Sequence, residues 1–182
     1  MEILKEKKVY EGALKVERAV ILNNDKKRKY ERLKRENASV VCLLNRDTNK
    51  LVLLKQYRYP IHDQIEELIY EMIAGKIDEG ESPLEAAIRE TYEETGYRIN
   101  SANIKQLFSC FSSPGYSSEE LFIFYATVEN SDKDPSHKLS EEDEGIETIE
   151  IKADTFQSLL KDGLIRDAKT YVAGLFMSNQ WH

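Results

Sequence analysis

Residues Gly75–Tyr97 read GKIDEGESPLEAAIRETYEETGY, and the local chemistry of these residues predicts one short helix. Ser82 suits an N-cap. Pro83 suits the first helical position, where a missing amide proton costs nothing, and Gly96 suits a left-handed C-terminal turn. The expected helix therefore runs from Pro83 to Thr95. At 3.6 residues per turn, Leu84, Ala87, Ile88 and Thr91 share a stripe expected to pack inward, while Glu90, Glu93 and Glu94 share the adjacent one. Like charges at that spacing repel, and the cation within reach is Arg89, one turn from Glu85 and from Glu93. The expectation is that Arg89 fixes Glu93 and leaves Glu90 and Glu94 to a hard cation. Magnesium takes one or two protein carboxylates together with waters and substrate phosphates, so two glutamates on one turn suffice. On residue types alone, a solvated acidic helix face fits equally, and exposed charge of that kind contributes little.

The spacing around the helix is more specific. Five residues separate Gly75 from Glu81, and seven separate Glu81 from Arg89. Glu90, Glu93, Glu94 and Gly96 then follow in order. This pattern resembles the Nudix box of Nudix hydrolases. Thr91 departs from it, standing where the family usually has a large aliphatic residue. That affects local packing and leaves the carboxylates intact. The resemblance implies a loop–helix–loop that holds magnesium or manganese against a diphosphate. Glu90, Glu93 and Glu94 match ligand positions of the family, and Arg89 matches the arginine that orients the glutamates. The carbonyl of Ala74 matches a further ligand of the diphosphate-sugar branch, and Glu81 a supporting carboxylate.

Outside the box, Ser39–Asn45 and Lys50–Pro60 are apolar, β-branched runs separated by NRDTN, which reads as a hairpin. Further strands are expected at Ile104–Ser112, Leu121–Val128 and Ile146–Lys152. DTFQSLLKDG and DAKTYVAGLFMSN then read as two helices, each with a leading aspartate placed to cap it. This order fits the α/β class, an α/β/α sandwich around a mixed sheet, which is the Nudix fold that the box implies. Residues 1–37 alternate charged and apolar side chains with a turn at NNDK, and so read as a small antiparallel sheet that buries little by itself. In the ADP-ribose and GDP-mannose pyrophosphatase branch, which the chain resembles over nearly its whole length, such a sheet crosses a twofold axis. The resemblance thus implies a homodimer, with residues 38–182 as the Nudix hydrolase domain. An edge extension packed on its own domain is the alternative.

Three further segments resemble that branch. Ser112–Glu120, SSPGYSSEE, is similar to its SPG-x-[ST]-[ST]-E loop, which places Pro114, Gly115 and Glu119 near the diphosphate. KQYRYP, from Lys55, resembles its Q-x-R segment, with Arg58 as a forked donor and Tyr57 as a wall. Core packing of Tyr57 and an exposed strand end at Arg58 fit as well. KLSEEDEGIE aligns Glu142 with the proposed catalytic base and Glu144 with an additional metal ligand, although the run from Glu141 to Glu144 tolerates a slip of one residue. Glu71 matches a glutamate that often precedes the box, and pairing with Arg89 is an alternative role for it.

A net charge of -7 over 182 residues argues against nonspecific nucleic-acid or anionic-membrane binding. The chain has no long apolar run, so the expectation is a cytoplasmic protein with no membrane partner. Cys42 and Cys110 sit in apolar runs without neighbouring ligands and read as reduced thiols. The expected activity is Mg2+- or Mn2+-dependent hydrolysis of a nucleoside diphosphate-sugar to a nucleoside monophosphate and a sugar phosphate. ADP-ribose is the first candidate and GDP-mannose the second. A triphosphate hydrolase and a non-catalytic nucleotide-sugar sensor are the remaining alternatives.

Overall fold

The computed structural model describes residues 1–140 and 145–178. Its first three strands, β1 (Glu2–Glu11), β2 (Lys15–Asn23) and β3 (Lys26–Lys34), form a separate antiparallel sheet in that order. The β2–β3 turn is made by Asn24 and Asp25, both at positive φ, as a two-residue hairpin with the right-handed strand twist requires. Alternation of charge and apolar side chains lets ion pairs such as Arg18–Glu31 and Arg32–Glu17 span adjacent strands. The same alternation leaves Ile3, Leu4, Val9 and Tyr10 exposed.

The seven remaining strands form one mixed sheet: β4 (Ala38–Asn45), β5 (Lys50–Gln56), β6 (Ile69–Glu71), β7 (Ile73–Lys76), β8 (Ile104–Phe111), β9 (Glu120–Val128) and β10 (Glu147–Lys152). The order is β10-β5-β4-β9-β8, with β4 parallel to β9. β4 meets β5 only at its C-terminal end, through Leu43, Leu44 and Asn45. Where the two strands part, β6 pairs with the end of β5 and β7 with the start of β4. Sequence reading did not anticipate β6 or β7, which are three and four residues long, because so short a segment shows no period.

Alternate residues of the central strands feed two cores. Val40 and Cys42 of β4, with Leu51 and Leu53 of β5, point to one face and pack under Phe156, Leu160, Ala173 and Met177 of α2 (Ala153–Lys161) and α3 (Ala168–Ser178). Val41, Leu43, Val52 and Leu54 point to the other face and pack with Ala87 of α1 (Pro83–Thr95) and with Tyr97. Strands covered on both faces are therefore continuously apolar, and the expected three-layer α/β/α architecture is the observed one.

The helix ends partly follow expectation. α1 begins with a capping box between Ser82 and Glu85 and ends at Gly96 with φ 75°. Asp167 caps α3, accepting from Thr170 N at 2.9 Å. Asp154 does not cap α2, because that helix starts two residues earlier than its sequence suggests, with Lys152 at the N-cap, and Asp154 falls in the first turn. There its charge still complements the helix dipole.

Candidate active site

The buried face of α1 is rotated from the stripe expected. Leu84 is 38% exposed, whereas Ala86, Ala87, Thr91 and Glu94 are buried. The two alanines let the helix approach the sheet closely, and Ser39 Oγ donates to Pro83 O at 2.6 Å, tying β4 to the helix start. Thr91 satisfies its buried hydroxyl within the helix by donating to Ala87 O at 2.7 Å. A threonine therefore fits where an aliphatic residue was the norm.

This rotation brings Glu94 onto β7. Its carboxylate accepts from Ala74 N at 3.1 Å, and its carbonyl accepts from Thr148 Oγ1 of β10 at 3.0 Å. One turn back, Glu90 lies against Gly75. A Cβ built on Gly75 would fall 1.8 Å from the Glu90 carboxyl carbon, so only a residue with no side chain leaves this carboxylate its place.

Arg89 does more than its sequence position suggested. Besides Glu93 at 2.9 Å, its guanidinium donates to Glu81 through two nitrogens at 2.8 Å, to Glu90 at 2.7 Å and to Lys76 O at 2.9 Å. The box loop folds back over the helix and delivers Glu81 to Arg89, a contact invisible to helical spacing. The expectation that Arg89 leaves Glu90 alone is thus corrected. Hydrogen bonding to Glu81, with Glu90 and Glu93 adding to it, raises the Arg89 pKa further, and the same hydrogen bond holds the Glu81 carboxyl below the usual carboxylate range.

Glu90, Glu94, Ala74 and Gly75 line a cleft of about 740 Å³. A charged cluster lines it as well. Arg58 donates to Glu71 through Nε at 2.7 Å and through Nη2 at 2.9 Å, and Lys169 Nζ bonds the same carboxylate and pairs with Asp167 at 3.0 Å. Glu71 is 2% exposed. Burial pushes its pKa up, but hydrogen bonding from Arg58 and the charge of Lys169 outweigh burial and hold the carboxyl below its ordinary value. Glu71 thus pairs with Arg58 and Lys169, while Arg89 lies in the other cluster. With two nitrogens committed to Glu71, Arg58 presents a fixed positive charge to the cleft instead of the whole fork that the sequence suggested. Lys169, Asp167 and Arg166 also line the cleft, whereas helical patterning gives only Asp167 a role, as the cap of the last helix. Their signal in the sequence is IRDAKT, where a cation stands on each side of the capping Asp167.

The remaining expected residues divide. Glu119 lines the cleft and pairs with Arg35 at 3.1 Å. Ser112, Ser113, Tyr116 and Ser117 line it too, whereas Pro114 and Gly115 form the tip of the loop outside the lining. Tyr57 is 41% exposed, stands edge-on to His62 at 5.9 Å, and is not among the lining residues. Glu142 and Glu144 lie outside the described residues. Cys42 is a packed thiol against Met72 Sδ at 3.0 Å, and burial pushes its pKa up to about 12.

Among the described residues no cluster of three or more histidine, cysteine or acidic side chains is arranged to hold a metal. What the cleft offers is two box carboxylates, Glu90 and Glu94, beside the backbone at Ala74. This is a hard-oxygen set compatible with a Mg2+ ion that keeps waters and substrate oxygens in its shell.

A loop–helix–loop of carboxylates and arginine, seated on a mixed sheet between helical layers, defines a Nudix domain, and the family model described as NUDIX domain matches residues 34–172. The chain belongs to the Nudix hydrolase family. The chain is 33% identical over 138 residues to the GDP-mannose pyrophosphatase of Yersinia enterocolitica, covering 75% of this chain and 70% of that protein. It is 34% identical over 161 residues to the methanol dehydrogenase activator of Bacillus methanolicus, covering 88% and 82%. A solved structure titled as that of an ADP compounds hydrolase superposes with a TM-score of 0.77 at 27% identity, covering 99% of this chain and 92% of that one. Within the family, these likenesses place the chain with the ADP-ribose and GDP-mannose pyrophosphatase branch. No helix among the described residues is long and apolar enough to cross a membrane.

Proposed function

We propose that this chain hydrolyses the diphosphate bond of nucleoside diphosphate-sugars, with ADP-ribose the first candidate and GDP-mannose the second, using Mg2+ or Mn2+. The observation that carries this reading is the shared cleft. Glu90 and Glu94 stand in it together with the cations of Arg58, Arg166 and Lys169. A diphosphate has negative oxygens to match those cations, and Glu90, Glu94 and the Ala74 carbonyl, with Glu144 as a further ligand, would hold a metal ion that would supply charge neutralisation on the phosphate oxygens. The GDP-mannose pyrophosphatase and ADP compounds hydrolase relatives support the substrate class.

The remaining steps belong to the chain. Arg58 and Lys169, held by Glu71, orient the diphosphate by charge. Glu119 borders the group attached to it, carried on the loop whose turn Pro114 and Gly115 make. Tyr57 stands outside the cleft and drops out of the proposed contacts. A water attacks phosphorus in line, forming a new P–O bond as the bridging P–O bond breaks, and the bridging oxygen departs on the second phosphate. The water's proton passes to a carboxylate. Glu142 is the proposed base, with Glu93, which Arg89 orients, as the candidate on the box helix. The exposed apolar side chains of β1 support a homodimer formed through residues 1–37, and the family relationship supports a cytoplasmic setting.

The test is turnover of ADP-ribose, GDP-mannose, UDP-glucose and nucleoside triphosphates with Mg2+. Wild-type protein is expected to release a nucleoside monophosphate and a sugar phosphate, and Glu94→Gln to lower kcat by about two orders of magnitude or more while staying folded. Near-normal turnover of Glu94→Gln at saturating Mg2+ would remove the metal assignment. Binding of the sugars without cleavage would make the protein a sensor.

A further inference from the structure

The end of β3 and the proline loop are joined by a dense seam. Leu33 N donates to Tyr116 O at 2.7 Å, and Leu33 O accepts from Ser118 N at 3.1 Å. The Ser118 hydroxyl accepts from Arg35 N at 2.9 Å and donates to Arg35 O at 3.1 Å, pinning the backbone of Arg35 from both sides. Asn37 closes the seam, since its side chain accepts from Glu120 N at 3.1 Å and its carbonyl accepts from Ile77 N, just beyond β7, at 2.9 Å. The N-terminal sheet, the proline loop and the strand that carries Ala74 and Gly75 are thus held together within one chain.

On this splint, Arg35 Nε lies 3.1 Å from the Glu119 carboxylate, whose side chain is 16% exposed, and both residues line the cleft. That cleft already holds the carboxylates of Glu71, Glu90, Glu94 and Asp167. A fifth carboxylate largely removed from water, with four others lining the same cleft, is favoured in an inward position by a cation beside it. An ordinary exposed ion pair contributes little because two mobile side chains must be ordered to make it. Here the backbone at both ends is already ordered.

We propose that Arg35 is a positioning residue for substrate binding, holding Glu119 turned into the cleft, so that the segment joining the N-terminal sheet to β4 completes the active site of its own chain. The proposal deepens the functional reading above and rests on it for the identity of the substrate.

The experiment is a double-mutant cycle of Arg35→Ala and Glu119→Ala, with kcat and KM measured for ADP-ribose and Mg2+. Arg35→Ala is expected to raise KM by about tenfold with kcat held within about twofold, and to add less than about twofold once Glu119 is alanine. Arg35→Lys should recover part of the loss, because it restores the charge without the planar fork. An unchanged KM, or effects that simply multiply, would overturn the proposal. Hydrogen exchange without substrate supplies the independent arm. In Arg35→Ala, and in the milder Ser118→Ala should the first fail to fold, residues 112–119 should exchange faster while the sheet core keeps wild-type protection. Unaltered exchange in that loop overturns the proposal whatever the substrate. A wild-type protein that cleaves no nucleoside diphosphate-sugar refutes only the functional reading.

Discussion

Gly75→Ala separates the chemistry of the cleft from the stability of the fold. A methyl group there would lie 1.8 Å from the carboxyl carbon of Glu90 and 1.9 and 2.1 Å from its oxygens. To reach the 3.4 Å of ordinary contact that carbon must retreat by about 1.6 Å. The displaced group is the far end of a flexible side chain, and Gly75 does not have a positive φ, so the backbone tolerates alanine. The structural loss is the 2.7 Å hydrogen bond from Arg89 to Glu90. Such a charge-assisted bond contributes about 1.5–3 kcal/mol when buried, and solvent at this half-buried site reduces it to about 1 kcal/mol. The functional loss should be far larger, since a catalytic group misplaced by about 1 Å costs about a hundredfold. Expected, therefore, are a Tm lowered by about 2–4 °C, kcat reduced by about a hundredfold, and a higher Mg2+ requirement. Thermal unfolding by circular dichroism and a Mg2+ titration of turnover give all three. A Gly75→Ala enzyme with wild-type turnover and metal dependence would refute the reasoning, because Glu90 would then have no need of the position it holds. Collapse of the fold would refute it in the other direction.

Glu71→Gln leaves Arg58 and Lys169 without their shared carboxylate. Breaking a buried pair costs about 3–5 kcal/mol, and because Arg58 is 43% exposed about 2–3 kcal/mol is expected, a Tm loss of about 4–12 °C, with KM raised as Arg58 loosens. Since the folded carboxyl titrates below its ordinary 4.5, the stability it contributes is complete above that pH and disappears as pH falls through the lower folded value. The Tm difference between wild type and Glu71→Gln should therefore be full at neutral pH and shrink in acid, and a difference that grows below pH 4.5 would contradict the pairing. Ser82→Ala removes the capping box of α1 and should cost about 1 kcal/mol by denaturant unfolding while leaving kcat within about twofold. A large kcat loss would mean that the helix start helps to set the box carboxylates.

Much of this protein is written in local pattern. The span of α1 follows from Ser82, Pro83 and Gly96, since caps and turns are decided by residues in immediate contact along the chain. The two-faced apolar runs of β4 and β5 announce a sheet covered on both sides. The box spacing announces the family, whose model begins at residue 34, close to where the apolar strands start. Tertiary structure decided which groups meet. Glu81 reaches Arg89 because the loop folds back, and Arg58 meets Glu71 and Lys169 because the divergence of β4 from β5 admits β6 beside the start of the last helix. Tyr57 and the Pro114–Gly115 tip fall outside the lining because the direction of a side chain at a strand end depends on the turn that follows it. Arg35 and Glu119 are 84 positions apart, and nothing in the period of either segment couples them. Local sequence sets dihedral angles, and so it determines the elements and the groups each one carries. Which charges neutralise one another across a cleft depends on how those elements pack, a long-range outcome of burying both faces of the sheet at once.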